Sequence, residues 1–591
     1  MTALTATRTD PITTEIIRNA FLSCAQDMNA TLIRSSYTPI IYEGKDCAVA
    51  LLDERADVLA QAVGVTMFLG NLEASVKLTA EQIGWDGFRP GDVFYTNSPS
   101  AAGTHLNDAT IFAPIFWRNR LVGFSATRAH WLDVGAKDPG GSMDATELYQ
   151  EGMRWGPTRL YEDARPREDL IDLLRDNGRF GLSLVGDMNA QVAACRTGEA
   201  RFRKILDRFG EDAYVAARDD IYRQSEQLER EAVEAIPNGV YRSEGCLDDD
   251  GLGNGPLLIR MRIDVEGDSM RIDLNGSASQ TRGPVNSYLM NTISACRVGF
   301  KMLIHPDRPV DGGTFRTLEV TAPEGSICAP QEPAPCQFSC SPGGLLVDLV
   351  IHALASVLPE AAAAAHYGDS MILRMTGDDP RRGERFLLTG PHAGGWGAWA
   401  VGDGADALIN VGNGAFKDYP IEVVEQKYPV IVRGYGIRCD TGGAGRFRGG
   451  CGVYRRTELA ADARVSAWFE RFVTPAWGVF GGADGAGPEV VTNEGRADER
   501  RFRKINILAL SAGDVVELRT GGGGGYGQPT ERDPERVRED VLDGYVSRAA
   551  AMHEYGVVLR ADLTVDLAAT LAAREAARRA ESGDGPGEAT R

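Results

Sequence analysis

The sequence lacks two kinds of hydrophobic segment. Residues 1–10 contain no apolar run of the kind found in a signal peptide. No stretch of the chain approaches the roughly 18–20 uncharged apolar residues that a membrane-spanning helix needs. Both absences argue against a secreted or membrane protein, and we expect the chain to be cytoplasmic.

Basic residues are too few for a nucleic-acid-binding protein. The chain has 63 Lys and Arg against 83 Asp and Glu, a net charge of −20 and a pI near 5.0. Nucleic-acid binders carry a basic face because phosphate contacts dominate their affinity. No stripe of Lys and Arg with interleaved aromatics occurs. The balance excludes nucleic acid as a partner and is typical of a soluble protein, including one that docks to a less acidic partner.

Paired cysteines are also missing. None of the ten cysteines forms a CxxC pair. Cys336 and Cys340 are separated by three residues and Cys328 lies nearby, but no matching Cys or His pair follows. This spacing argues against a structural zinc site of the cysteine type. We interpret the cysteines as reduced thiols of a cytoplasmic protein that folds without disulfides.

Nucleotide-binding motifs are absent as well. The glycine run at 521–527 lacks the Lys-Ser/Thr pair of a phosphate-binding loop and the strand-to-helix setting of a dinucleotide site. We interpret this run as a flexible turn before the C-terminal tail.

The patterns of hydrophobic residues predict an α+β fold (mixed α/β) built of several layers. Its 591 residues suggest two to four domains. We expect an N-terminal α+β domain at 1–236, a β-rich domain with inserted helices at 237–530, and a helical tail at 531–591 with a disordered end. Individual elements are predicted as helices at 11–34, 72–83, 285–304 and 343–358, mostly helical structure at 167–234, and a strand at 47–52.

A β-hairpin is predicted in the first domain, with strands at 109–116 and 121–128 joined by a tight turn at Arg118 and Asn119. With the turn centred there, the numbers of paired residues sum to about 237. His130 then faces residue 107, His105 faces residue 132, and the two imidazoles lie near each other on one face. Asp108 joins them only if the chain bends before the strand begins.

The two histidines of this hairpin sit beside acidic residues, although the whole chain has only seven histidines. Two imidazoles with one or two carboxylates form a suitable site for Zn²⁺, Mn²⁺ or Fe²⁺. A divalent metal in such a site lowers the pKa of its bound water. The alternative is that each His-Asp neighbourhood is a hydrogen-bonded loop without a metal.

Several phrases together resemble the hydantoinase B family, and the resemblance spans roughly residues 10–560. They are residues 105–108 (HLND), 128–130 (RAH), 146–152 (TELYQEG), 442–450 (GGAGRFRGG), 521–527 (GGGGGYG), 543–547 (DGYVS) and 555–558 (YGVV). Each phrase alone is weakly specific, but the set is highly specific.

The resemblance implies a metal-binding subunit of a two-component enzyme. The family includes N-methylhydantoinases, 5-oxoprolinases, caprolactamases, and acetone and acetophenone carboxylases. In these, a hydantoinase A-type subunit uses ATP and Mg²⁺ to phosphorylate a carbonyl oxygen, and the B-type subunit carries a divalent metal. Matching positions here imply four metal ligands: Asp46, His105, Asp108 and His130. Proton transfer is assigned to three nearby acids: Asp133, Glu147 or Glu151.

The chain departs from the family pattern at three places. Residues 97–100 read Asn-Ser-Pro-Ser where the family commonly has Asn-Asp-Pro-Tyr. Trp131 stands where a second histidine is common, and Asn107 stands where proline is usual. Trp131 is expected either to serve an apolar substrate or to pack in the core. These changes put the substrate in doubt but leave the four ligand positions intact.

The leading hypothesis is therefore an ATP-dependent amidohydrolase subunit that opens a hydantoin, a lactam or 5-oxoproline. One alternative is a subunit of an ATP-dependent ketone carboxylase, and another is a scaffold subunit without chemistry. We expect an A/B heterodimer doubled by two-fold symmetry into a heterotetramer or a larger assembly.

Overall fold

The computed structural model describes residues 10–581 and has a mixed α+β fold with 33% helix and 24% strand. Within that range the strands form four sheets, antiparallel except for one pair. Among these residues no helix is both long and apolar enough to cross a membrane.

The first sheet carries the predicted hairpin. Its seven strands are β1 (Cys47–Asp53), β2 (Val58–Gln61), β3 (Val93–Thr96), β4 (Asp108–Trp117), β5 (Arg120–His130), β6 (Thr158–Glu162) and β7 (Arg165–Pro166). They are arranged in the order β2-β1-β5-β4-β3-β6-β7. The long β4–β5 hairpin thus lies at the centre of the sheet, where both of its strands are almost fully buried.

The hairpin turn is confirmed at Arg118 and Asn119, whose φ angles are 48° and 63°. Positive φ at both central residues is the two-residue turn whose twist matches that of the flanking strands. The predicted register is off by one residue, because a bulge between Ile115 and Phe116 shifts the pairing. Beyond the bulge the pairs sum to 238, so Asp108 faces His130 directly.

Eight helices accompany this first sheet. They are α1 (Pro11–Ser35), α2 (Pro39–Tyr42), α3 (Thr66–Leu69), α4 (Leu72–Ile83), α5 (Pro99–Ala102), α6 (Glu168–Asn177), α7 (Gly181–Phe209) and α8 (Glu211–Glu234). Asp10 caps α1 by accepting hydrogen bonds from the backbone N–H groups of Ile12 and Thr13, and Pro11 occupies the first helical position. The apolar face of α1 packs with α7 in a core that includes Phe21 and Phe202.

The second sheet contains β8 (Gly239–Leu247), β9 (Leu257–Glu266), β10 (Ser269–Asp273) and β11 (Leu318–Thr321), in the order β11-β10-β9-β8. Helices α9 (Leu289–Leu303) and α10 (Cys340–Leu354) pack against it. They correspond to the helices predicted at 285–304 and 343–358, with ends shifted by a few residues. The strands alternate buried and exposed side chains, as expected for a sheet covered on one face.

Nine further strands and one helix complete the β-rich part. They are β12 (Ile372–Asp379), β13 (Glu384–Gly390), α11 (Ile421–Lys427), β14 (Val430–Ile437), β15 (Val453–Leu459), β16 (Ala463–Trp468), β17 (Glu489–Thr492), β18 (Arg500–Phe502), β19 (Lys504–Leu510) and β20 (Val515–Arg519). They form one sheet in the order β13-β12-β16-β19 and another in the order β14-β15-β20-β17-β18.

The tail is helical, as predicted. It contains α12 (Pro534–Asp543), α13 (Arg548–His553) and α14 (Leu567–Glu581). Asp533 and Ser547 cap the first two of these helices with their side chains. The disorder predicted for the end of the tail falls beyond residue 581 and so lies outside the described residues.

The interpretation of residues 521–527 as a flexible turn is wrong. Gly521 to Gly525 are buried, and their backbones pack against other backbone segments. The N–H groups of four successive glycines donate to three stretches of chain: Gly522 and Gly525 to Ala486 and Ala483, Gly523 to Gly450, and Gly524 to Ala365. Only residues without a Cβ allow such close approach, so the glycines make this segment a packed centre rather than a linker.

Hydrophobic cores cross the domain boundary expected near residue 236. One core joins Ile17 and Phe21 of α1 with Val516 and Leu518 of β20. Another joins Met67 of α3 with the apolar residues of α9 and α10. The cavity described below lies where the N-terminal sheet meets these later elements.

Candidate metal centre

The open end of the β4–β5 hairpin brings two histidines and an aspartate together. Asp108 is the first residue of β4, and His130 is the last residue of β5 directly opposite it. His105 lies three residues before Asp108 in the connection from α5, and the backbone N–H of Asp108 donates to the carbonyl of His105 at 3.0 Å. The chain therefore bends just before β4 begins, which is the condition under which Asp108 was expected to join the two imidazoles.

The three side chains offer ligand atoms that all lie within 4.8 Å of one another. Asp108 Oδ1 is 3.2 Å from His130 Nδ1, and Asp108 Oδ2 is 3.4 Å from His105 Nδ1. The two imidazole rings are 4.9 Å apart between centroids and nearly perpendicular. The carboxylate therefore lies between two imidazoles that approach it from different directions.

Burial sets the charge state of this group. It lowers the pKa of His105 to about 4, against the opposing influence of Asp108, so the imidazole is neutral at pH 7. Burial alone would raise the pKa of Asp108, but its interactions with His105 and His130 outweigh it and hold that pKa below its ordinary value. Neutral imidazoles and an ionised carboxylate are the forms that bind metals.

Asp46 stands at the edge of the same group, immediately before β1. Its carbonyl accepts a hydrogen bond from the backbone N–H of His130 at 3.1 Å, and its side chain lines the same cavity. Burial raises the pKa of Asp46 to about 7, with His130 lowering it and Asp108 raising it. A nearby cation favours the ionised carboxylate, so a metal ion would stabilise the charge of Asp46.

A divalent metal suits these residues. The Nδ1 atom of His105 is buried and makes no hydrogen bond among the described residues, although Asp108 Oδ2 lies 3.4 Å away, so its hydrogen-bonding capacity is left unused. Two imidazoles and one carboxylate, with a further carboxylate at the edge, form a donor set that Zn²⁺, Mn²⁺ and Fe²⁺ all accept. His105, Asp108 and His130 would hold the ion. Asp46 is not part of the group whose ligand atoms lie within 4.8 Å of one another, although it lines the same cavity, so its role as a fourth ligand stays a prediction.

The cavity beside this group is built mostly from distant parts of the chain. Its walls include Ser339 and Cys340 at the start of α10, Arg374 on β12, and Asn410 and Asn413 between β13 and β14. Apolar residues near α3 close the other side: Val65, Met67 and Phe68. No motif in the sequence marked the residues after 237, because only the tertiary fold brings them to the hairpin.

The three acids predicted to transfer protons lie away from the cavity wall. Asp133 is buried and ion-paired with Arg179 at 3.0 Å. Glu147 is exposed, and Glu151 accepts hydrogen bonds from the backbone N–H groups of Cys336 and Gln337. The contacts of Asp133 and Glu151 hold loops in place, and the proton-transfer assignment for all three acids stays a prediction.

The residues that depart from the family pattern shape the backbone around the site. Trp131 is fully buried, stacks on Tyr95 at 5.1 Å between centroids, and donates through Nε1 to Gln191. Asn107 binds Trp131 twice, by Nδ2 donating to its carbonyl and by accepting its N–H at the backbone carbonyl. Trp131 therefore belongs to the core and does not line the cavity.

Comparison with known proteins places the chain in a family. The sequence profile of the Hydantoinase B/oxoprolinase family matches residues 10–529. The chain belongs to this family, which confirms the resemblance drawn from the sequence phrases.

Two relatives and two solved structures are similar to this chain. The B-type chain of a putative D-/L-hydantoinase from Pseudomonas sp. (strain NS671) is 31% identical over 93% of this chain and 95% of its own. The beta chain of the caprolactamase from Pseudomonas jessenii is 32% identical over 93% and 96% of the two chains. The crystal structure of the ATP-dependent caprolactamase from that organism has a TM-score of 0.90, covering 96% of this chain and all of that one. Nucleotide-free acetone carboxylase, at 20% identity and a TM-score of 0.89, covers 98% and 84% and shares the fold.

Proposed function

We propose that this chain is the metal-holding subunit of an ATP-dependent amidohydrolase that opens a cyclic amide of the hydantoin, lactam or 5-oxoproline type. The observation that carries the proposal is the buried group of His105, Asp108 and His130 at the wall of a cavity. The similarity to one chain of a caprolactamase and one of a hydantoinase, over nearly the full length of each, supports the choice of cyclic amides.

Different residues at this site are assigned to metal binding and to the exclusion of water. His105, Asp108 and His130 would hold a divalent ion, with Asp46 beside them. When bound, such an ion supplies a Lewis acid that polarises a carbonyl and makes water more acidic at neutral pH. The apolar wall of Val65, Met67 and Phe68 would exclude bulk water from the ring of the substrate. The carbonyl becomes reactive through phosphorylation by an A-type partner.

The partner follows from the same reasoning. A chain called beta in the caprolactamase implies a second kind of chain there, and the present sequence has no nucleotide-binding motif. We therefore assign ATP and Mg²⁺ to a hydantoinase A-type subunit, in an A/B pair doubled by two-fold symmetry. Because the reaction consumes ATP, the complex is assigned to the cytoplasm.

The test is reconstitution with the A-type subunit from the same organism. Hydantoin, caprolactam and 5-oxoproline are incubated separately with the complex, ATP and Mg²⁺, and ring-opened product and ADP are measured together. The expected result is ring opening that requires ATP and both subunits and is lost in a His130→Ala complex. Ring opening without ATP, or ATP hydrolysis by this chain alone, would contradict the division of labour.

A bicarbonate arm separates the proposal from the ketone carboxylase alternative. The same complex is supplied with acetone or acetophenone and ATP, with and without bicarbonate. If ATP turnover depends on bicarbonate and a carboxylated product forms while all cyclic amides remain unchanged, the carboxylase alternative replaces the amidohydrolase. A complex that binds no metal and turns over none of these compounds is the result expected of a scaffold subunit.

A further inference from the structure

Arg374 is a buried cation in the cavity wall that forms no ion pair within residues 10–581, and the acids that act on its charge, Asp133, Asp138 and Glu151, lie beyond ion-pair distance. It lies on β12, between β13 and β16, and its residue surface is 4% exposed. One terminal nitrogen donates to the carbonyl of Gly141 at 2.6 Å, while Nε has no hydrogen-bond partner in the described part of the chain. Burial lowers the pKa of this guanidinium to about 10, so it remains charged at neutral pH. A buried charged group with unused hydrogen-bond donors is unfavourable unless a ligand supplies the missing acceptors.

A second buried arginine shows what a purely structural arrangement looks like. Arg128, on β5, is also fully buried and has no carboxylate partner among the residues that the structure describes. Its Nε and both terminal nitrogens nevertheless donate to neutral oxygens, on Thr110, Asn71 and Ser75 respectively. Arg128 is thus satisfied by the protein itself, whereas the guanidinium of Arg374 retains hydrogen-bonding capacity.

The N-terminus of α10 opens into the same cavity. Ser339 and Cys340, at the start of this 15-residue helix, both line it, and the side chain of Ser339 makes no capping hydrogen bond. The Arg374 guanidinium carbon lies 5.6 Å from the ring centroid of Phe338, just before the helix begins. The backbone N–H groups of Ser339 and Ser341 already donate to the carbonyls of Cys336 and Phe338. The helix therefore adds the partial positive charge of its first turn to the full charge of Arg374, and the guanidinium supplies the free donors.

This positive region lies beside the candidate metal ligands. His105, Asp108 and Arg374 line one cavity, and the positive charge of Arg374 contributes to the lowered pKa of His105. A ligand whose anionic group is bound between Arg374 and the helix would extend through the same cavity toward the histidines. A guanidinium fork together with a helix N-terminus is an arrangement suited to phosphate oxygens.

We propose that Arg374 and the N-terminus of α10 form a subsite for a phosphoryl group. Under the proposed function, on which this inference rests, that group is the one that the A-type subunit attaches to the carbonyl oxygen of the cyclic amide. Arg374 then orients the phosphorylated carbonyl toward the metal-holding residues. Its assigned role is ligand binding, and it is not assigned to the metal.

The probe for the test is inorganic phosphate, titrated calorimetrically into the full-length, metal-loaded chain without partner or ATP. Wild type is compared with Arg374→Gln, Arg374→Lys and a control, Arg464→Gln, which changes an exposed arginine on the neighbouring strand β16. Removing a charged hydrogen-bonding partner weakens binding by roughly 10–100-fold. We expect that loss in Arg374→Gln, a smaller loss in Arg374→Lys because the charge remains, and no change in the control.

Metal content, measured on the same samples, separates this subsite from phosphate bound to the metal alone. Loss of phosphate affinity in Arg374→Gln with wild-type metal content supports the subsite. Equal affinity in wild type and Arg374→Gln overturns it, as does a wild-type chain that binds no phosphate. If Arg374→Gln fails to fold, the comparison of wild type with Arg374→Lys still tests the subsite. An unchanged phosphate affinity in the lysine variant would contradict binding of phosphate by the guanidinium of Arg374.

Acetate is the competing probe, because a substrate carboxylate could use the same positive region. Acetate that binds through Arg374 more tightly than phosphate would replace the phosphoryl subsite with a carboxylate subsite. The outcome is independent of the proposed reaction: failure to open cyclic amides leaves the phosphate titration interpretable, and a negative titration leaves the ring-opening assay intact.

Discussion

A single methyl group at Gly523 is expected to destabilise the β-rich part of the chain. A Cβ built at this position would lie 2.0 Å from the carbonyl oxygen and 2.1 Å from the carbonyl carbon of Trp396. Both atoms belong to backbone, so no side-chain rotation relieves the overlap. The segment would have to move away, and Gly523 is also hydrogen-bonded on both sides, to Gly450 and from Gly443.

The size of the effect follows from these contacts. Overpacking in a core costs about 1–3 kcal/mol. Two buried backbone hydrogen bonds that lengthen or break cost about 1–3 kcal/mol each. The sum for Gly523→Ala is on the order of 3–9 kcal/mol, comparable to the whole stability of a typical domain at roughly 5–15 kcal/mol. We expect low soluble yield or a midpoint of thermal unfolding that falls by at least about 5 °C.

The matched control is Gly156→Ala, where a Cβ would meet nothing within 4 Å. Both variants are expressed in parallel, and soluble yield, thermal unfolding and urea unfolding are measured. We expect the control to stay within about 0.5 kcal/mol of wild type, as surface substitutions usually do. A Gly523→Ala chain as stable as the control would refute the close backbone packing of the glycine run.

Two further substitutions test the surroundings of the site. Burial raises the pKa of Glu151 from 4.5 to about 8. The contribution of the protonated side chain to the free energy of unfolding is therefore fully present below about pH 4.5 and is lost as the pH rises through 8. Urea unfolding of Glu151→Gln should therefore show a stability relative to wild type that increases from about pH 5 to pH 8, and a constant difference would contradict the raised pKa. Trp131→Phe leaves Gln191 Oε1 without its donor and should destabilise by about 2–4 kcal/mol with unchanged metal content. Metal loss in that variant would contradict a purely structural role.

Local rules predicted the hairpin but not its register. The turn at Arg118 and Asn119 could be placed because two polar residues separate two β-rich runs, and positive φ is accessible to asparagine. The bulge between Ile115 and Phe116 has no marker in the sequence, and it moves every later pair by one residue. That shift sets Asp108 directly opposite His130.

The candidate site divides in the same way. The proposed metal ligands come from residues 46–130, where histidines beside acids and the family phrases are a direct signal in the sequence. The proposed anion-binding part comes from Cys340 and Arg374, which lie in a helix start and a strand with no distinctive motif. An arginine on a strand predicts an exposed or ion-paired side chain. Only the tertiary fold, which places Arg374 beside the loop at Gly141, leaves this one buried and, within the described chain, without an ion pair.

The glycine run shows a different limit. Five consecutive glycines are usually a flexible linker, because glycine gains the most conformational freedom in the unfolded chain. Here the same absence of side chains lets the N–H groups of residues 522–525 reach three distant backbone segments closely enough for hydrogen bonding. Sequence alone cannot distinguish the two cases, since the partner segments, such as those at 365, 450 and 486, are far away along the chain.

The most direct test of the central claim is the metal content of the purified full-length chain, measured by inductively coupled plasma mass spectrometry. Wild type is compared with His105→Ala, His130→Ala and a control, His553→Ala, whose histidine is exposed on α13. We expect about one equivalent of Zn, Mn or Fe per chain in wild type and control, and loss of this metal in both His105→Ala and His130→Ala. A wild-type chain without metal, or site variants that retain it, would contradict the metal-holding role of the hairpin.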